Sequence, residues 1–294
     1  LGRFRVPLPS MGYRAVHVVR AAREDESPAA VQASAKGMEN EYLRVRFDAA
    51  GRLTSLYDKS ARRESIAAGE KANRFLLFED KPTQWEAWDI DVFYNDKQLE
   101  ADGTLESAEV VETGPVRSVV RFTRRISRSR IVQDVILEAG SRRLTFDTRV
   151  EWADESRVLL KVAFPLRVRS ERARYEIQFG HVDRPTHLNR PTDYGRFEVP
   201  AQKWADLSES GFGVALLNDC KYGHDCRDNV LRLSLLRAPK KPDPEADVNK
   251  THHFTYALYP HAGTLANGVV RQGYEVNVPP EATLTKTSAG RLPP

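Results

Sequence analysis

The stretch Leu144-Thr145-Phe146-Asp147-Thr148-Arg149-Val150-Glu151-Trp152 decides the fold. Successive side chains of an extended strand point to opposite faces, so Leu144, Phe146, Thr148, Val150 and Trp152 share one side. Thr145, Asp147, Arg149 and Glu151 share the other. A strand with one apolar and one polar face belongs to an antiparallel sheet that packs on a core through one side only.

The same period of two recurs on either side of this stretch. Tyr42–Phe47, Val116–Phe122, Ile131–Leu137, Val158–Phe164, Phe212–Leu217 and Leu231–Leu236 each place an apolar residue at nearly every second position. Asp48-Ala49-Ala50-Gly51, Ala101-Asp102-Gly103, Glu138-Ala139-Gly140-Ser141 and Ser208-Glu209-Ser210-Gly211 supply the turn residues between such runs. Helical spacing is scarce, and Ser60–Ala68 is the one short candidate. The expected fold class is all-β: a large antiparallel β-sandwich with a small β appendage. Residues 1–25 read as strands of a small β module, with Arg3–Val6 and Tyr13–Val19 flanking a Pro-Gly turn. Residues 26–38 read as a linker, low in aliphatic anchors, or a loosely held helix. Residues 39–264 read as the sandwich, and 265–294 as a strand and tail leading toward a further β module.

Composition narrows the function classes. The chain has 294 residues, 40% hydrophobic and 29% charged, with a mean hydropathy of −0.53. No 18 apolar residues run together, so no membrane partner is expected. The net charge of +4 is a small difference between 45 basic and 41 acidic residues. The densest basic cluster, Arg121–Arg130, alternates with Phe122 and Ile126 as a solvated strand face does, so no nucleic-acid partner is expected. Cys220 and Cys226 are the only cysteines, which fits a reducing, cytoplasmic compartment. Their spacing, with no second pair nearby, does not make a structural zinc site.

Four segments break the alternation and concentrate polar and aromatic groups. Phe78–Asp91 holds Trp85, Trp88 and five carboxylates, the composition of a sugar-facing loop, because indole faces cover the apolar side of a pyranose while carboxylates accept its hydroxyls. Asn218–Asp225 crowds polar groups at a strand end, including Cys220 and His224, a thiol and imidazole without a third orienting group. Arg237–Asp247 is stiffened by three prolines and leads to His252 and His253. Thr255–His261 adds a third histidine, but His252 and His253 would face opposite ways on a strand. A self-sufficient glycosidase needs two carboxylates about 5 to 9.5 Å apart across the sugar, and nothing in the sequence pairs them.

Read together, Glu39–Val45, Gly51–Lys59, Asn73–Pro82, Trp85–Asp91, Gln202–Ser208, Gly213–Gly223 and Tyr256–Gly263 closely resemble the carboxy-terminal region of glycoside hydrolase family 38, the α-mannosidases, in its bacterial and cytosolic branch. The likeness covers about three quarters of the chain in the family's order. It implies a sandwich similar to the galactose-mutarotase supersandwich. It also implies a retaining α-mannosidase whose zinc, nucleophile and acid/base lie on an amino-terminal α/β domain, followed by a helical bundle. No catalytic or metal-ligating residue is carried over to this chain. Zinc is expected in the parent's catalytic domain alone. The implied partners are an α-mannoside and the parent's catalytic and helical domains, with a homo-oligomer left open.

In the family, loops of this sandwich close one wall of the mannose pocket. The residues placed for that role are Trp88 and Asp89, then Trp85, Arg237, Asp243, Asp247 and His253. Glu86 stands where the family leads one to expect aspartate, and His224 where tyrosine is usual. Two other readings remain: a free-standing carbohydrate-binding module built on Trp85 and Trp88, or an aldose epimerase, which needs a histidine and a glutamate converging in a groove.

Overall fold

The computed structural model describes residues 6–9, 12–16, 31–153, 156–241, 250–265 and 267–283. Its strands form three antiparallel sheets. The largest has nine strands, in the order Gly180–Pro185, Arg172–Ile177, Trp204–Ser208, Phe212–Asn218, Lys250–Ala262, Leu144–Trp152, Ser129–Glu138, Arg117–Ile126 and Thr104–Glu112. A six-stranded sheet faces it, in the order Val199–Pro200, Gly223–Arg227, Val230–Arg237, Val158–Pro165, Arg74–Glu79 and Gln98–Ala101. A five-stranded sheet built from Gln32–Ser34, Gly37–Glu39, Leu43–Phe47, Leu53–Asp58 and Arg63–Glu64 lies beside them.

Leu144–Trp152 behaves as its pattern demands. Leu144, Phe146, Val150 and Trp152 are buried in the main core, while Asp147, Arg149 and Glu151 face outward. Across the layers the Phe146 ring lies 6.2 Å from Phe164, and Phe164 makes an edge contact with Tyr256 at 6.0 Å. Such aromatic contacts contribute about 0.5–1.5 kcal/mol each beyond area burial. The five-stranded sheet joins the same core through Phe47, whose ring meets Phe122 of the large sheet at 5.0 Å.

Two strands depart from one-sided packing. Val158–Pro165 and Phe212–Asn218 are buried at every position. Leu160, Val162 and Phe164 enter the inter-sheet core, whereas Leu159 and Ala163 face a second cluster covered by Tyr94 and Phe197. Behind Phe212–Asn218, the helix Val269–Asn277 covers Trp204, Ala215 and Leu217.

That helix is one of the local differences from the sequence reading, which made 265–294 strand and tail. Gly268, at φ 96°, starts it, and Gly273 lets it settle on Trp204, where an added Cβ would approach Cδ1 to 2.8 Å. Second, within the segment read as linker, Gln32–Ser34 and Gly37–Glu39 form a hairpin. Gly37 is required there, since a Cβ would lie 2.4 Å from the Val45 carbonyl oxygen. Third, Ser60–Ala68 is a turn followed by the short strand Arg63–Glu64, because the Asp58 carboxylate takes the Ser60 and Ala61 N–H groups at 2.8 and 2.9 Å. Near the amino end, residues 6–9 and 12–16 carry no strand, and the rest of the two strands expected there lies outside the described residues.

Candidate functional site

The strand Arg74–Glu79 runs out at Asp80, and Pro82 ends any ladder. The chain returns through a 3₁₀ turn, Val92–Asp96, to pair again as Gln98–Ala101. Residues 80–91 therefore form a long loop between two paired strands, closed at its base by the Glu79 N–H donating to the Lys97 carbonyl at 3.0 Å. At its tip Trp85 adopts φ +58°, and its carbonyl accepts the N–H groups of Trp88 and Asp89 at 2.8 and 2.9 Å. This single tight turn sets the two indoles side by side, 5.7 Å apart and tilted by 41°. Both face solvent, at 63% and 71% exposure, and Phe93 beyond them is also exposed.

The loop is held from behind. Arg237, at the end of Val230–Arg237, donates Nε–H to Asp80 Oδ2 at 2.7 Å and Nη2–H to the carbonyls of Glu86 and Asp89 at 3.2 and 2.6 Å. Arg157 Nη2 donates to Glu86 Oε1 at 2.7 Å, and the Lys240 N–H to Glu86 Oε2 at 2.8 Å. Burial alone would raise the Glu86 carboxyl, but these donors hold it below the usual range. Asp91 takes the Thr83 N–H and hydroxyl at 2.7 and 2.9 Å. Glu86, Asp80 and Asp91 thus build the loop, while Trp85, Trp88 and Asp89 remain at its surface, with the Asp89 carboxylate accepting only its neighbour Ile90 N–H among the described residues.

A buried ionic network lies under the returning 3₁₀ turn. Lys161, fully buried, donates to Glu198, to Asp225 at 2.6 Å and to the Tyr94 hydroxyl at 3.1 Å. Arg232 donates Nε–H to both Asp225 oxygens at 2.7 and 3.0 Å and reaches Asn95 at 3.0 Å. Tyr94 and Ser234 both donate to Glu198. A register shift between Leu160 and Lys161 marks a bulge where this lysine turns outward from the core. Burial works against its charge, but Asp225 and Glu198 together raise its pKa. Burial also pushes the Tyr94 phenol up to about 12, so it stays a donor. The network escaped the sequence reading, although a single lysine within Val158-Leu159-Leu160-Lys161-Val162-Ala163-Phe164 was its visible trace.

Of the residues expected to touch sugar, the structure brings Trp85, Trp88, Asp89 and Arg237 together, with Arg237 bound to the loop rather than projecting from it. His253 lies elsewhere, on the outer face of the nine-stranded sheet, paired with Asp147 at 2.5 Å. Asp243 and Asp247 lie outside the described residues. Cys220 is exposed, its thiol pushed up to about 11 by partial burial and Asp219, and no contact joins it to His224, whose Nδ1 faces the Tyr222 carbonyl at 3.2 Å. His261 is buried against Asp206 at 2.8 Å. In the basic cluster, Arg121 pairs with Asp134, and Arg125 and Arg130 with Glu106.

Among the described residues, no three His, Cys, Asp or Glu side chains converge to hold a metal ion. No helix there is long and apolar enough to cross a membrane.

The family model described as "Glycosyl hydrolases family 38 C-terminal domain" matches residues 38–245. This chain belongs to glycosyl hydrolase family 38. The match takes in the six-stranded sheet, the Trp85–Asp91 loop and every strand of the nine-stranded sheet except Lys250–Ala262. Among curated relatives, Alpha-mannosidase 2C1 of Homo sapiens is 45% identical over 281 residues, covering 93% of this chain and 27% of that protein. Alpha-mannosidase G of Dictyostelium discoideum is 41% identical over 248 residues, covering 82% and 22% respectively. The chain spans about a quarter of the length of these relatives. The crystal structure of an alpha-mannosidase from Enterococcus faecalis V583 superposes with a TM-score of 0.76 at 18% identity, over 89% of this chain and 33% of that one, and so shares its fold. The all-β sandwich expected from alternation is therefore also the architecture of the family 38 carboxy-terminal domain.

Proposed function

We propose that this chain is the non-catalytic carboxy-terminal sandwich of a retaining α-mannosidase and supplies one wall of its sugar pocket. The whole protein would hydrolyse terminal α-mannosides in a reducing, cytoplasmic compartment. Its carboxylates for bond cleavage and its zinc would sit on the parent's other domains. The names and identities of the curated relatives support the activity, and both cysteines of this chain are free thiols.

The observation that carries the wall is the tilted, exposed Trp85–Trp88 pair on a loop fastened by Arg237 and Arg157. Indole faces exclude water from the apolar side of a pyranose, and the neighbouring Asp89 carboxylate accepts a sugar hydroxyl. Because the loop is already fastened, little ordering entropy is lost when the sugar arrives. Arg237 then acts as the positioning residue of the wall.

The test uses the full-length parent and an aryl α-mannoside. Trp88→Ala should lower kcat/KM by roughly tenfold or more, equivalent to ~1.4 kcal/mol or more of transition-state stabilisation, while this chain alone shows no hydrolysis with or without zinc. Unchanged kcat/KM in Trp88→Ala would remove the loop from the pocket, and hydrolysis by this chain alone would remove the division of labour.

The exposed indole pair also suits a free-standing carbohydrate-binding module. Submicromolar mannobiose binding by this chain alone, followed by tryptophan fluorescence, would favour that reading; millimolar binding favours the half-pocket. The epimerase reading has little support in the geometry. His224 pairs with Leu233 on the core side of its strand, and Glu198 is bound by Lys161 and Ser234 on the other side.

A further inference from the structure

Where the helix Val269–Asn277 crosses the end of Phe212–Asn218, it leaves a cleft of about 280 Å³ lined by Gln202, Lys203, Asp219, Cys220, Tyr222 and Tyr274. At ~30 Å³ per liquid water that is the volume of about nine waters, enough to seat a pyranose ring. A larger cleft, of about 450 Å³, lies beside the same helix. Its arginines are already engaged: Arg142 with Asp58 and Ser60, Arg143 with Gln272, and Arg271 with Glu275.

The smaller cleft presents a different set of groups. Tyr222, from the loop before Gly223–Arg227, and Tyr274, from the helix, are both more than half exposed. Neither phenol, nor the Gln202 side-chain amide, makes a hydrogen bond among the described residues. Asn277 donates Nδ2–H to the carbonyls of Asn218 and Gly273, which fixes its amide with Oδ1 available as an acceptor. Asp219 is held at the rim by the Thr255 N–H at 3.0 Å. Among the described residues that line the cleft the one cation is Lys203, which is neutralised by Glu176 at 3.1 Å and sits 4.6 Å from the centre of the Tyr274 ring, while the neighbouring Lys221 lies over the Phe254 ring at 4.7 Å. Two amphipathic rings, two fixed or free amides and a rim carboxylate, with no uncompensated positive charge among the described lining residues, suit a neutral polyhydroxylated ring and disfavour an anion.

We propose that this cleft is a second, non-catalytic pyranoside site, separate from the Trp85–Asp91 loop, which holds a neutral hexose unit of a longer glycan. Tyr222 and Tyr274 would cover the ring, while Gln202, Asn277 and Asp219 would take its hydroxyls. The inference stands on the cleft alone and does not need the catalytic role proposed for the parent.

Cys220, exposed in the lining, reports occupancy directly. The full chain is alkylated with iodoacetamide at alkaline pH, with and without methyl α-mannoside, and the rates at Cys220 and Cys226 are read by peptide mass. For a site with Kd ~10 mM, ~100 mM sugar should slow Cys220 roughly tenfold, leave Cys226 unchanged and lose its effect in both Tyr274→Ala and Tyr222→Ala. Tyr222→Ala keeps the test valid should Tyr274→Ala undock the helix. An unprotected Cys220, equal slowing of Cys226, equal protection by glycerol at matched osmolality, or protection that survives Tyr222→Ala would each overturn the proposal. A tryptophan fluorescence response to the same sugar without Cys220 protection would overturn this site while leaving the Trp85–Trp88 wall intact.

Discussion

Arg237 Nε lies 2.7 Å from Asp80 Oδ2, and the same guanidinium caps the carbonyls of Glu86 and Asp89, so one side chain from the six-stranded sheet fixes both ends of the loop that carries the indoles. Asp80 is almost wholly buried. Removing its partner would strand a carboxylate in a low-dielectric position. Arg237→Met should therefore destabilise the chain by about 2–4 kcal/mol, seen as a lower urea midpoint, and should raise acrylamide quenching of the exposed tryptophans. In the full-length parent KM should rise more than kcat falls. Unaltered quenching would show that the loop holds its shape without the arginine.

The network around Lys161 should be more costly to break. Lys161→Met leaves Glu198 and Asp225 facing each other without their shared cation, while Arg232 still holds Asp225. Loss of one partner from a buried ionic group costs about 3–5 kcal/mol. Chemical denaturation of the two proteins at neutral pH measures the difference, and a loss under ~1 kcal/mol would mean that the network behaves like a surface pair.

His224 should make the fold sensitive to mild acid. Desolvation lowers its pKa from 6.5 to about 4, with a smaller opposing effect from the Tyr222 carbonyl, and its Nε2 has no hydrogen-bond partner among the described residues. The folded state therefore binds its proton less readily than the unfolded state. Its contribution is complete above pH 6.5 and declines as the pH falls through 4. Stability should fall by about 2 kcal/mol between pH 7 and pH 5 from this group. His224→Phe should flatten that slope in urea titrations at the two pH values; an unchanged slope would assign the effect to other groups.

Gly213 should not tolerate a methyl group. A Cβ there would lie 2.5 Å from the ring of His261 and from the Ser208 Cβ, displacing the imidazole from Asp206. Gly213→Ala should cost about 1–3 kcal/mol by overpacking, read as a drop in thermal midpoint, whereas Gly211→Ala, which meets nothing within 4 Å, should change little.

The sandwich was legible because its code is local. Leu144–Trp152 alternates strictly, and Gly51 and Gly140 stand at φ 70° and 73° in turns that need them. Burial of alternate residues on both faces was not legible in Val158–Pro165, because the groups covering its second side, Tyr94 and Phe197, come from distant segments. The helix Val269–Asn277 hid behind β-branched valines and a central glycine, which weaken a helical pattern over only nine residues. At the site, the indoles and carboxylates were visible as composition. The strapping role of Arg237 was not, since its partner Asp80 lies 157 positions away. That His253 would stand apart from the loop, beside Asp147 on the outer face of the nine-stranded sheet, was also not legible, because adjacency to a loop in sequence does not say which side of a strand a residue takes.

The docking of the helix Val269–Asn277 against Trp204 limits how the gene can be trimmed. Ending the polypeptide at residue 264, where alternation stops, would strip the cover from Trp204, Ala215 and Leu217 and leave a sticky apolar strip on the largest sheet. A shortened version intended for crystallisation or labelling should run through Asn277, whose amide is itself tied to Asn218. A red-shifted emission from Trp204 would announce that the cut had been made too early.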